Sequence, residues 1–174
     1  YGIDIFLMNS YKIPVLWVIA YILGVLAPMA TATISFGCIR MFAAGIHARK
    51  GWTCLLMTGF VLFGIVVLSI FLPLNLIHKT VFFIFSLILI FFYAPADTEE
   101  KPLINPKLRQ RLKRRTIIIS ILLYLLSITI FPNDIIGSIL IYSIFAESLL
   151  ITPIIYKLLK RRYRNYENFA QENF

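Results

Sequence analysis

His47 and Cys54 are the side chains of this sequence whose types suit chemistry together, and they lie close to one another in RMFAAGIHARKGWTC, residues 40–54. A thiol becomes a nucleophile near neutral pH when a base or a positive field favours the thiolate. Histidine, whose ordinary pKa is about 6.5, is the usual base. The pair therefore points to cysteine nucleophile chemistry. A plainer arrangement, a cysteine buried in a span and a histidine in a loop, fits the same spacing.

Spacing sets a condition on the chemistry. On one unbroken helix the two residues share a face but lie roughly 10 Å apart along the axis. A hydrogen bond needs about 3 Å, so the backbone must break between them. Gly51 is the expected place, because glycine is favoured just past a helix C-terminus. Thr53 is then the expected N-cap of the next helix. That arrangement sets Cys54 in a first helical turn, where the helix dipole favours a negative sulfur, and His47 near the end of the preceding helix, where it favours an imidazolium.

Other polar residues qualify as support. Arg40 lies on the same helical face as His47, where it could bind a peptide carboxylate or hold a helix in place; a boundary arginine on the basic side reads equally well. Glu147 stands near the middle of the last apolar run, IFAESLLITPII, and an ionisable group there is costly unless paired. Arg40, Lys101 or a backbone group could pair with it, and it could also orient His47; a structural pair is the favoured reading. Asp97, in YAPADTEEKPL, is either a solvated loop residue or a third member orienting His47. Cys38, His47, Cys54 and His78 match no ordinary zinc spacing, so neither metal nor cofactor is expected. Nor is a structural disulfide, since both cysteines lie near the basic side of the chain.

The elements that position these residues follow from composition. The chain has 174 residues, 60% of them hydrophobic, with a mean hydropathy of +0.85. Uncharged runs near the spanning length of about 20 residues recur, which excludes an ordinary soluble domain. The fold class expected is all-α: a single membrane-embedded domain over 1–174, polytopic, with four transmembrane helices in two hairpins. These run over about 54–73, 80–95, 116–131 and 135–156. Residues 13–39 carry no charge and contain Pro14, Gly24 and Pro28. They form one long tilted span or a helical hairpin broken near Gly24–Pro28.

Net charge is +9, which in a soluble protein would suggest nucleic acid; here no nucleic-acid partner is expected. The basic residues cluster in 40–50, 101–115 and 157–164, and the links at 74–79 and 131–134 hold only Lys79. The Lys/Arg bias puts the basic segments in the cytoplasm against anionic lipid headgroups and the two links outside. The tail 157–174 is then cytoplasmic. The broken hairpin is the preferred reading of 13–39, because Lys12 and Arg40 then lie on one side. The run 107–115, KLRQRLKRR, reads as a lipid-facing anchor that could also attract an acidic peptide.

Taken in order, these segments resemble one family. IRMFAAGIHARKGWTC, then YAPADTEEKPL, then a basic run, then Glu147 and Pro153 in the last span, are similar to the AgrB family, accessory gene regulator protein B of Gram-positive quorum sensing. The likeness covers nearly the whole chain. A short amphipathic N-terminal segment of the family is expected to be missing. One departure is Ala44, where many members carry a second glycine. The resemblance implies a thiol protease of the cell membrane that cleaves an AgrD-type propeptide toward a cyclic autoinducing peptide. By the same resemblance Cys54 is the nucleophile, His47 is base and then acid, and Arg40 and Gly45 support the site at the cytoplasmic face. It also leaves room for a homodimer.

A competing class is a small multi-span transporter or channel subunit without thiol chemistry. Broken helices with Gly24 and Pro28, and Glu147 within the bilayer, suit it. It gives no reason for His47, Gly51 and Cys54 to gather at the interface. A non-catalytic membrane scaffold is the third class.

Overall fold

A computed structural model of the chain describes residues 2–45, 51–98, 103–159, 161–163 and 165–166. It is 80% helical, with no strand among the described residues. Seven helices follow in order: α1 Gly2–Ile22, α2 Leu26–Ala43, α3 Gly51–Phe71, α4 Leu76–Tyr93, α5 Pro106–Thr129, α6 Ile135–Leu150 and α7 Pro153–Leu158. Leu26–Ala43, Trp52–Phe71 and Leu76–Tyr93 are long and apolar enough to cross a membrane, and Lys12–Ile22 and Ile135–Leu150 are shorter apolar helices. Their outer faces present large apolar side chains such as Ile22, Phe60, Phe71 and Ile77. Lipid is the solvent that accepts such a surface. The chain is thus an all-α membrane protein.

Residues 13–39 form the broken hairpin rather than one span. Gly24 carries a φ of +71° between α1 and α2, a conformation that glycine adopts without steric cost. The two helices fold back on each other, and Trp17 Nε1 donates to Thr33 Oγ1. The tight links are capped as their residues suggest. Asn75 accepts from the His78 N–H at the start of α4, and Asp134 accepts from the Ile136 N–H at the start of α6.

At its centre is α6, packed against α2, α3, α4 and α5. Every residue from Gly137 to Ile144 is buried. Small and hydroxylic residues let neighbours come close, as in other membrane helix pairs. Ser143 and Ser35 of α2 meet at 2.8 Å between hydroxyls. A Cβ at Gly137 would collide with the Phe131 carbonyl and Lys79 Nζ. Although joined by a short link, α3 and α4 make little contact with each other; each packs mainly on α6.

The helix expected from about residue 116 begins earlier: α5 starts at Pro106 and takes in the run 107–115, with Asn105 accepting from the Lys107 and Leu108 N–H groups. Lysine and arginine are good helix formers, so charge there does not interrupt the helix. The last span does not reach residue 156. It stops at Leu150, Thr152 adopts an extended conformation, and Pro153 opens α7. Glu147 therefore occupies the last turn of α6 and not the middle of a span.

Candidate functional site at the basic end

The C-terminal ends of α2, α4 and α6 meet the N-terminal ends of α3 and α5 at one end of the bundle. Contacts across it fix this. The Arg115 guanidinium lies 5.6 Å from the Phe42 ring centre, and Lys113 Nζ lies 4.4 Å from that of Phe91. Lys12 of α1 lies at the same end, on the side of Arg40, as the broken-hairpin topology requires.

The break between α2 and α3 differs from the expected one. Gly51 and Thr53 are helical, as the first and third residues of α3, so Gly51 does not end the preceding helix. The chain turns instead at Ala44, φ +57°, and Gly45, φ +114°. Backbone pairing explains why the turn lies there. The Gly45 N–H donates to the Ala96 carbonyl at 3.2 Å, and the Ala96 N–H donates to the Ala43 carbonyl at 3.0 Å. The loop after α2 is thereby zipped to the loop after α4. A Cβ on Gly45 would meet only ordinary contacts, so the positive φ is what requires glycine. Ala44 adopts a positive φ without being glycine, at the position where the family departure was noted.

His47 falls within residues 46–50, outside the described residues. Helix α2 ends at Ala43. The turn after α2, at Ala44 and Gly45, lies before His47 in the chain.

Cys54 sits in the first turn of α3, buried at 7% exposure. Both cysteines are free thiols, and Cys38 is exposed. Lys12 Nζ donates to Cys54 Sγ at 3.1 Å. Sequence reasoning placed Lys12 on the right side of the bundle but did not connect it with the thiol.

Arg40 and Glu147 are brought together. Nη1 of Arg40 lies 3.1 Å from Glu147 Oε2 and 3.5 Å from Oε1. Glu147 is fully buried, and Arg40 also stacks near the Phe36 ring. A carboxylate removed from water needs such a partner. The pair lies directly beside Gly45, whose Cα faces Arg40 Nη1 and Glu147 Oε1.

Asp97 is buried, not a solvated loop residue. Its two carboxylate oxygens accept from the Asn165 N–H at 3.0 Å and the Tyr166 N–H at 2.8 Å. Its backbone carbonyl accepts from the Tyr156 hydroxyl at 2.7 Å. Burial pushes the Tyr156 phenol well above its ordinary range, and the negative charge of Asp97 adds to the shift, so Tyr156 stays a neutral donor. Asp97 thus ties α7 and the chain after it to the loop following α4. No local motif signals this long-range role. Beside it opens a cleft of about 310 Å³ lined by Tyr93, Asp97, Arg109, Gln110, Lys113 and Tyr166. The Arg109 guanidinium lies 3.7 Å from the Tyr166 ring centre.

Fold and site together define a helical membrane protein with a buried thiol at a helix N-terminus on its basic end. Residues 1–151 match the sequence profile of the family Accessory gene regulator B. The chain belongs to the AgrB family, and so to the accessory gene regulator system of quorum sensing. It is 33% identical over 170 residues to an AgrB-like protein of Clostridium acetobutylicum, covering 98% of this chain and 81% of that one. It is 37% identical over 171 residues to an AgrB-like protein of Listeria innocua, covering 97% and 82%. It is 30% identical over 162 residues to accessory gene regulator protein B of Staphylococcus aureus, covering 89% and 81%. No solved structure matches it.

Proposed function

We propose that the chain is a multi-pass membrane cysteine endopeptidase that processes an AgrD-type propeptide, with its site at the cytoplasmic face. The observation that carries this is the buried Cys54 thiol in the first turn of α3, a few residues after the turn at Ala44 and Gly45. The helix N-terminus favours a thiolate, and the membrane edge keeps water scarce. The basic first turns of α5 and the positive-inside rule support the cytoplasmic orientation.

His47 takes the Cys54 proton, and the sulfur attacks a peptide carbonyl. The C–N bond breaks, the leaving amine takes the proton from the imidazolium, and the acyl group remains on Cys54 as a thioester. A Cys or Ser of the bound peptide then loses its proton to His47 and attacks the thioester. The C–S bond breaks, and the ring closes. When the attacking group is a thiol, one thioester replaces another at little free-energy change, so ATP is not needed. Arg40, Glu147 and Gly45 hold the reversal that presents His47, and Gly51 begins the helix that presents Cys54. The propeptide's amphipathic segment would lie in the interface, and Arg109 and Lys113 would draw its acidic tail toward the cleft beside Asp97.

The test is propeptide cleavage in membranes by wild type, Cys54→Ser and His47→Ala. Both variants are expected to lose cleavage while inserting normally. Cleavage that survives in Cys54→Ser overturns the reading.

A further inference from the structure

Lys12 is buried at 5% exposure, and among the described residues its acceptor is the sulfur of Cys54. An amphipathic lysine at a membrane edge ordinarily snorkels, sending its ammonium to water along an apolar stem. Here the ammonium turns inward. A buried ammonium is costly unless an anion or several dipoles meet it. A neutral thiol is a poor acceptor, whereas a thiolate supplies both the charge and the lone pairs.

The register that brings the two together is built into the helices. One turn further along, Leu16 of α1 packs against Gly59 of α3, where a Cβ would stand 3.2 Å from Leu16 Cδ2. Lys12 and Leu16 are four residues apart on α1, and Cys54 and Gly59 are five apart on α3, so the two contacts advance together along both helices, which run parallel. Leu16 is buried in the hydrophobic core. Gly59 lets α1 approach closely enough for the Lys12 side chain to end at the sulfur.

Resting on the reading of Cys54 as nucleophile, we propose that Lys12 is the electrostatic partner of its thiolate. The ammonium holds the sulfur anionic before attack. It receives the anion again when the C–S bond of the thioester breaks during ring closure. His47 carries the protons in both steps; Lys12 keeps its own and supplies only charge and a hydrogen bond. The α3 N-terminus acts on the sulfur in the same sense.

The experiment uses the full chain in membranes with Cys38→Ser, so that Cys54 is the reporting thiol. Alkylation by iodoacetamide, a small neutral reagent, is followed by intact mass from about pH 6 to about pH 10. Lys12→Met and Lys12→Gln are expected to alkylate about tenfold more slowly than wild type near pH 7 and to catch up near pH 10. Lys12→Arg, which keeps the charge, is expected to restore most of the rate. Two charge-removing variants of different polarity guard against a folding defect in one. Equal rates near pH 7 overturn the proposal, and so does a deficit of constant size at every pH, which would report access to the sulfur rather than its charge. Cleavage surviving in Cys54→Ser would remove the protease reading and leave the alkylation result standing, so the two failures are distinguishable.

Discussion

Each end of this bundle buries a lysine. At the end away from the basic segments, Lys79 is fully buried and its ammonium donates to the carbonyls of Ser127, Phe131 and Pro132, at 3.2, 2.8 and 2.9 Å. Ser127 lies in the last turn of α5, and Phe131 and Pro132 lie in the link that follows it; the lysine satisfies all three carbonyls. Around it the Tyr142 hydroxyl donates to the Leu72 carbonyl and the Leu74 N–H donates to the Ser138 hydroxyl. At the basic end the partner of Lys12 among the described residues is a soft atom that can change its charge. The first lysine is a cap made of fixed dipoles. The second faces an acceptor whose strength depends on protonation, next to a chain reversal with two positive φ angles. One end of the molecule is closed by fixed dipoles, and the other carries the thiol to which the proposed chemistry is assigned.

Substitutions sharpen or break that contrast. The largest expected effect is at the basic end's structural pair. Arg40→Ala leaves the Glu147 carboxylate buried without its partner, and should cost about 3–5 kcal/mol in detergent unfolding. A double variant, Arg40→Met with Glu147→Leu, should recover most of that loss and fail to restore cleavage. Recovery of cleavage would show that the pair plays no part in shaping the reversal.

Next comes Lys79→Met, expected to destabilise by about 2–4 kcal/mol because buried carbonyls lose their donor. Molecules that remain folded should alkylate at Cys54 at the wild-type rate. A changed rate would mean that the two ends are coupled, and the contrast between them would fall.

Gly45→Ala should cost about 1–3 kcal/mol, since alanine is strained at a φ of +114°. Cleavage should fall further than stability, because the residue sits between the Arg40–Glu147 pair and the segment carrying His47. The smallest effect is expected at Ala44→Gly. Its φ of +57° is one that glycine prefers, so the change should stabilise by about 1 kcal/mol and raise the melting temperature slightly. A loss of stability there would contradict the local geometry.

Much of this arrangement could be read from residue order alone. Long uncharged runs marked the spans, and Gly24 with Pro28 marked the first break. The cost of burying Glu147 called for a partner, and Arg40 was among the candidates. Other features depend on contacts distant in sequence. Gly51 carries the usual signature of a helix end, yet α2 stops earlier because Ala43 and Gly45 pair with Ala96 across the bundle. The start of α5 carried a readable signal, asparagine followed by proline, that the charge of the following run obscured. Asp97 resembles a loop acid until Asn165 and Tyr166 return to it. The contact of Lys12 with Cys54 arises from the packing of α1 along α3, which no local spacing encodes.

A protease of this kind forms a covalent bond between Cys54 and the peptide. The direct measurement is intact mass of the full chain in membranes after incubation with a propeptide whose ring-closing residue is alanine. An adduct on Cys54 equal to the N-terminal part of the peptide, absent in Cys54→Ser, is the predicted result. Continued cleavage with no adduct at any time would contradict it.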